Sequence, residues 1–155
     1  MPVLESYLFF ALLCLRGDGR EAKPEDHLSN QIRRIRTIVD ELQRRLGDTT
    51  RVLVSVERGN ERLVSVHPSE ADQGTYLLSL DRDFLPLLDE RDLRAVVAHE
   101  LGHVWIYTHH PYLQTENLAN QTALMVVSRE DLERAYRKVG LHKGKEVDLE
   151  AFVGR

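Results

Sequence analysis

A chain of 155 residues, 42% hydrophobic and 30% charged, has room for one domain with a substantial core. Its net charge of −4, with Lys and Arg scattered, gives no reason to expect a nucleic-acid partner. Its one cysteine, Cys14, excludes an internal disulfide framework and is expected to be a small buried hydrophobe.

The longest early apolar stretch, Tyr7 to Leu15, falls short of the roughly 18 residues that span a bilayer. It lacks a preceding Lys or Arg and a nearby small-residue cleavage site, so it is expected to pack on the core of a cytoplasmic protein, an exported form being the alternative. Residues 16–24 read as a linker. Next, Leu28, Ile32, Ile35, Val39, Leu42 and Leu46 recur at steps of three and four, the stripe of a long helix. Pro24, Glu25 and Asp26 suit its first turn and Gly47 its stop. Its arginine-rich opposite face is expected to be solvated. Residues 51–57 and 62–66 are β-rich, and the Gly59-Asn60 pair between them predicts a hairpin. A polar loop separates these from a third strand at 75–80. Asp81 is placed to cap a short helical piece through Leu88. Asp89, with Asp92 three residues on, predicts a capping box for the next helix.

That helix carries His99-Glu100-Leu101-Gly102-His103. Residues four apart share a helical face, so His99 and His103 present two imidazoles to one point. Two neutral imidazoles can bind Zn²⁺ and leave room for further ligands. Glu100 is poorly placed as a ligand but well placed to handle the proton of a water at the metal, the division of labour of H-E-x-x-H. The apolar surroundings (Ala95, Val96, Val97, Ala98, Leu101) predict a buried helix. Two His and a Glu inside it need a reason, because an unpaired buried polar group costs about 1–3 kcal/mol.

The helix should end near His109-His110, since the residue before Pro111 avoids helical angles. A second helix follows, with Glu116, Ala119, Asn120, Ala123 and Val127 on one face. Ser128 and Asp131 cap a third, with Leu132, Ala135, Tyr136 and Val139 inward and Gly140 at its end. Two residues after His103 are candidate third ligands, His109 and Glu116. His109 has the spacing of H-E-x-x-H-x-x-G-x-x-H, but the bend that motif needs falls on Ile106, a β-branched residue that resists positive φ.

Glu116-Asn117-Leu118-Ala119-Asn120 resembles the second motif of the gluzincins, E-x-x-A-[DN]. With Ala95-Val96-Val97-Ala98-His99-Glu100-Leu101-Gly102-His103 upstream, the chain looks like a gluzincin zinc metallopeptidase of the compact minigluzincin type. The upstream half is similar to HtpX-like peptidases and the downstream half to ImmA/IrrE-like ones. The resemblance covers roughly residues 75–139. It implies an α+β zincin-like domain spanning 1–155, whose small three-stranded sheet packs on the long N-terminal helix, the H-E-x-x-H helix and the Glu116 helix. It implies His99, His103 and Glu116 as zinc ligands, Glu100 as the catalytic base, and Asn120 as support for a zinc His. Asp is the usual residue at that last position in HtpX-like proteins, so His99 is expected to be a slightly weaker ligand.

The implied function is zinc-dependent endopeptidase, acting on a peptide or protein. The rival is a non-catalytic or latent zinc-binding regulatory or scaffold module on the same fold. Tyr107, His110, Tyr112 and Tyr136 all stand as candidate oxyanion donors. An extended substrate is expected along the 75–80 strand. Substrate identity and oligomeric state are not encoded in any motif of the chain.

Overall fold

In the computed structural model the described residues are 24–148 and Val153. The Tyr7–Leu15 segment, Cys14 and most of the 16–24 linker lie outside them. The described elements run α1 (Pro24–Leu46), β1 (Arg51–Glu57), β2 (Val64–Pro68), β3 (Thr75–Asp81), a 3-10 turn (Leu85–Leu87), α2 (Glu90–His109), α3 (Glu116–Ala123) and α4 (Arg129–His142). The architecture is α+β: four helices and a three-stranded sheet. Among the described residues no helix is long and apolar enough to cross a membrane.

The α1 stripe is as the periodicity predicts, with Ile35, Val39 and Leu42 buried and Ile38 joining them. Gly47 takes the left-handed conformation (φ 69°) that ends the helix. The arginine face is solvated as expected, with Arg33, Arg34, Arg36, Arg44 and Arg45 all exposed. Arg34 pairs with Glu90, the first residue of α2. Between them, Arg94 of α2 holds Glu41 of α1 in a bidentate pair at 2.7 and 2.9 Å.

The hairpin predicted at Gly59-Asn60 does not form. The strand order is β1-β3-β2, with β1 parallel and β2 antiparallel to β3. Two physical facts decide this. Tyr76, Leu78 and Leu80 are buried, as are Thr75 and Ser79, so β3 is covered on both faces and takes the centre. The Gly59 and Asn60 amides are drawn to the end of β3 by Asp81 Oδ2, at 3.0 and 3.1 Å. Asp81 Oδ1 accepts from Asp83 and Phe84, so Asp81 ties two loops together and does not cap the 3-10 turn, whose N-cap is Phe84. The second strand also starts later than 62. Leu63 has φ 68°, a left-handed value costly for a branched side chain, and closes a turn onto Asn60 O at 2.8 Å.

α2 is the centre of the molecule. It touches α1, β2, α3 and α4, and Leu93, Ala95, Val96, Val97, Ala98, Leu101, Val104 and Ile106 bury it on nearly every side. Its capping box forms as predicted: Asp89 accepts from the Asp92 amide at 2.9 Å and Asp92 from the Asp89 amide at 3.2 Å. α4 runs to His142, two residues past the stop predicted at Gly140; the left-handed glycine that follows it is Gly144 (φ 61°). α3 ends at Ala123, so Val127 is outside it.

Candidate metal centre

α2 places His99 and His103 on one face, as its period requires, with Nε2 to Nε2 3.1 Å. After His109 the chain leaves the helix at Pro111 and re-enters one at Thr115, whose hydroxyl accepts from the Leu118 amide. Glu116 is therefore the first residue of α3, where the helix dipole favours a carboxylate. α3 crosses α2 at very close range. A Cβ on Gly102 would stand 2.4 Å from Ala119 O and 2.9 Å from Ala119 Cα. That contact sits between the two His of α2 and one turn after Glu116. It brings Glu116 Oε2 to 3.1 Å from His99 Nε2, and Oε1 to 3.5 Å from His103 Nε2.

The outer ring nitrogens of both His are occupied. His99 Nδ1 donates to Asn120 Oδ1 at 2.7 Å, and His103 Nδ1 donates to Gln114 Oε1 at 3.2 Å. An amide oxygen only accepts, so each neutral ring carries its proton on Nδ1 and turns the lone pair of Nε2 inward. Two lone pairs and a carboxylate thus converge on one point. Three donors at about 2.0–2.1 Å from a tetrahedral zinc stand roughly 3.3 Å apart, and the separations here are 3.1, 3.1 and 3.5 Å. The donor set and spacing fit a metal; His99, His103 and Glu116 form a group that could hold one.

The electrostatics follow from this convergence. Without a cation in the cluster, protons on the inner nitrogens of His103 and His99 bond the Glu116 carboxyl and hold it far below the ordinary carboxylate range. Burial opposes charge on His103, but its bonds to Glu116 and Gln114 outweigh it and raise its pKa. Glu100 lies in the same cleft. Burial raises its pKa, against the pull of His99 and His103. That favours proton uptake.

The other sequence candidates separate cleanly. Tyr136 of α4 lines the cleft with its ring 5.1 Å from that of His99, edge to face. Burial pushes its phenol well above the ordinary value, so it keeps its proton. Tyr107 also lines the cleft, with its ring 5.6 Å from Tyr76. Tyr112 is 97% exposed, and His110 rests against Trp105; neither lines the cleft. His109 stacks on Trp105 and bonds Trp105 O at 2.9 Å, remote from the three donors. Gln114 had no role in the sequence reading. It lies in an unpatterned loop eleven residues beyond its partner, and no motif marks it.

The strand expected to receive a substrate cannot do so. Both edges of β3 are paired. Of the two edge strands, β1 and β2, it is β2 whose Val64, Ser65 and Val66 line the cleft. Asp81 N bonds Leu63 O and Ser69 N bonds Thr75 O, so odd-numbered residues of β2 face β3. The backbone groups of Val64 and Val66 therefore point away from β3, and the Val66 amide bonds the Glu100 carboxylate.

The crystal structure of the metallopeptidase zymogen of Pyrococcus abyssi abylysin is similar to this protein, with a TM-score of 0.52 and 16% sequence identity, covering 73% of this chain and 98% of that one. At that identity the likeness is one of fold. No protein-family model matches the chain, nor does any curated protein sequence.

Proposed function

We propose that this protein is a zinc-dependent endopeptidase of the gluzincin type. The observation that carries the reading is the convergence of His99 Nε2, His103 Nε2 and a Glu116 oxygen, all acceptors, on one point. Such a cluster is repulsive unless a cation or protons fill it. Its place in a cleft, on a fold shared with a metallopeptidase zymogen, favours a catalytic metal over a structural one.

His99, His103 and Glu116 would hold the zinc, and Asn120 and Gln114 would fix the two rings. Zinc bound there supplies Lewis acidity, lowering the pKa of water towards neutral and polarising a carbonyl. Glu100 accepts the proton of the attacking water and passes it to the leaving nitrogen; its raised pKa suits both halves of that cycle. Tyr136, kept protonated by burial beside His99, donates to the oxygen on which charge develops. The substrate is a peptide or protein segment lying extended along β2, bonded through the backbone of Val64.

Zinc content of the purified protein and cleavage of a quenched fluorescent peptide library test the reading together. Glu100→Gln should retain zinc and lose about 10²–10⁴-fold in turnover, the usual worth of a positioned acid–base. Equal turnover in that variant would overturn the assignment.

A further inference from the structure

We propose that Arg62 and Lys143 form a subsite for a carboxylate at one end of the cleft, so that peptides bearing an acidic group three or four residues from the scissile bond are preferred; this rests on the peptidase reading above. Two walls run outward from the metal-binding group. One is the free edge of β2, at Val66 and Val64, continued by Arg62 in the turn that precedes the strand. The other is a face of α4, where Tyr136, Val139 and Lys143 follow at helical spacing. All of these line the same cleft.

Both walls end at the same corner. The ring of His142, next to Lys143, lies 5.2 Å from that of Phe84. The Phe84 amide bonds Asp81. The Asp81 amide in turn bonds the carbonyl of Leu63, next to Arg62. The two cations therefore face one end of the cleft from opposite sides.

Distance sets the register. From Tyr136 to Lys143 the helix and its cap rise about 10 Å, and from Val66 to Arg62 the chain spans at most about 13 Å. An extended peptide advances roughly 3.3 Å per residue, so the cations meet a side chain three or four residues from the bond that is cut. Between them and the metal group the walls are formed by Val64, Ser65, Val66 and Val139, none of them charged. Among the described residues neither cation has an ion-pair partner. Glu100 and Glu116 are the carboxylates that line the cleft, and both sit at the metal end. Glu61, Glu146 and Asp148, near the cations in sequence, do not line it.

The test uses the zinc-loaded full chain and quenched peptides that differ only in one residue, Glu, Gln or Lys, placed two to five positions to either side of a fixed apolar centre. Glu three or four positions away on one side should raise kcat/KM roughly fivefold over Gln, mainly through KM, as two exposed ion pairs would. Lys there should lower it. Free and amidated C-termini at the same distance tell a terminal carboxylate from a side chain. The double variant Arg62→Gln/Lys143→Gln should erase the preference, so that Glu and Gln peptides are cleaved alike, and about 0.5 M salt should shrink it. Equal cleavage of Glu, Gln and Lys peptides, or a preference that survives the double variant, overturns the subsite. If no peptide is cut, fluorescence anisotropy of the same peptides decides. Tighter binding of the Glu peptide, lost in the double variant, upholds the subsite while the peptidase reading falls. Equal or absent binding overturns the subsite too.

Discussion

α2 carries two polar clusters about two turns, or roughly 10 Å, apart, and they are built on opposite principles. At its first turn Asp92, 0% exposed, accepts from Arg134 at 2.7 Å and from Lys138. Both cations come from α4, and Lys138 also donates to Leu87 O at 2.9 Å. A buried charge meets its counter-charges, and the cluster is electrically closed. At the third and fourth turns His99 and His103 meet Glu116, acceptor facing acceptor, and the cluster is open. A closed cluster holds helices together. An open one, pre-shaped by outer hydrogen bonds, is a place for a cation. The same helix thus separates a structural duty from a chemical one.

The comparison breaks most sharply at Glu116. Glu116→Ala should weaken zinc binding by more than the roughly 10–100-fold typical of changes beyond the ligands themselves, while thermal stability of the metal-free protein changes little. His109→Ala should leave affinity unchanged, because that ring stacks on Trp105. A chromophoric chelator competition reads both. Metal loss in His109→Ala with retention in Glu116→Ala would reverse the ligand assignment.

Asp92→Ala should do the opposite: about 3 kcal/mol of stability lost, with zinc affinity unchanged in the folded fraction. Burial alone would raise the Asp92 pKa, but Lys138, the Asp89 amide and Arg134 outweigh it and lower it. Asp81 is lowered in the same way by four backbone amides. A carboxyl whose folded pKa is depressed stabilises fully above its unfolded value, about 4, and loses that contribution as pH falls through the folded value. The fold should therefore hold until below about pH 4. The metal centre should empty earlier, at higher pH than the fold, as protons compete for the imidazoles. Zinc release followed by indicator and unfolding followed by near-ultraviolet circular dichroism should give two separate transitions. A single shared transition would mean that the metal holds the fold together.

How legible each cluster was in the sequence follows from the range of its contacts. The capping box and the His pair are read within one helix, at spacings of three and four, and both stand as predicted. Glu116 and Asn120 needed the resemblance, because their partners lie 13 to 21 residues away in sequence. The closing of Asp92 by Lys138, 46 residues on, had no local mark. The same limit misplaced the sheet. Gly59-Asn60 has hairpin chemistry, but Asp81, some twenty residues later, takes its amides and β3 takes the central place. Gly102 was visible as part of the motif, yet its duty, the 2.4 Å clearance under Ala119 O, belongs to packing. Gly102→Ala should accordingly cost about 1–3 kcal/mol as overpacking, and should lower zinc affinity as well by pushing α3 and Glu116 outward. A stability loss with unchanged affinity would mean that α3 yields elsewhere and Glu116 keeps its place.

The smallest effects separate the two amides that hold the rings. Asn120 is fully buried and bonds His99 at 2.7 Å; Gln114 is half-buried and bonds His103 at 3.2 Å, with a second bond of 3.4 Å from its amide nitrogen to His103 O. Removing Asn120 leaves the Nδ1 proton of His99 without a partner where water cannot easily follow. Removing Gln114 opens a site that water can enter and fill. Asn120→Ala should thus lower zinc affinity by about 30-fold, within the usual range for such partners, and Gln114→Ala by less, about threefold to tenfold. Asn120→Asp should tighten binding, because a full charge on Nδ1–H makes the ring a stronger donor through Nε2. Zinc titrations of the three variants at one pH decide the order. If Gln114→Ala costs more than Asn120→Ala, burial is not what sets the worth of these bonds, and the tether that Gln114 makes between its loop and α2 is the larger contribution.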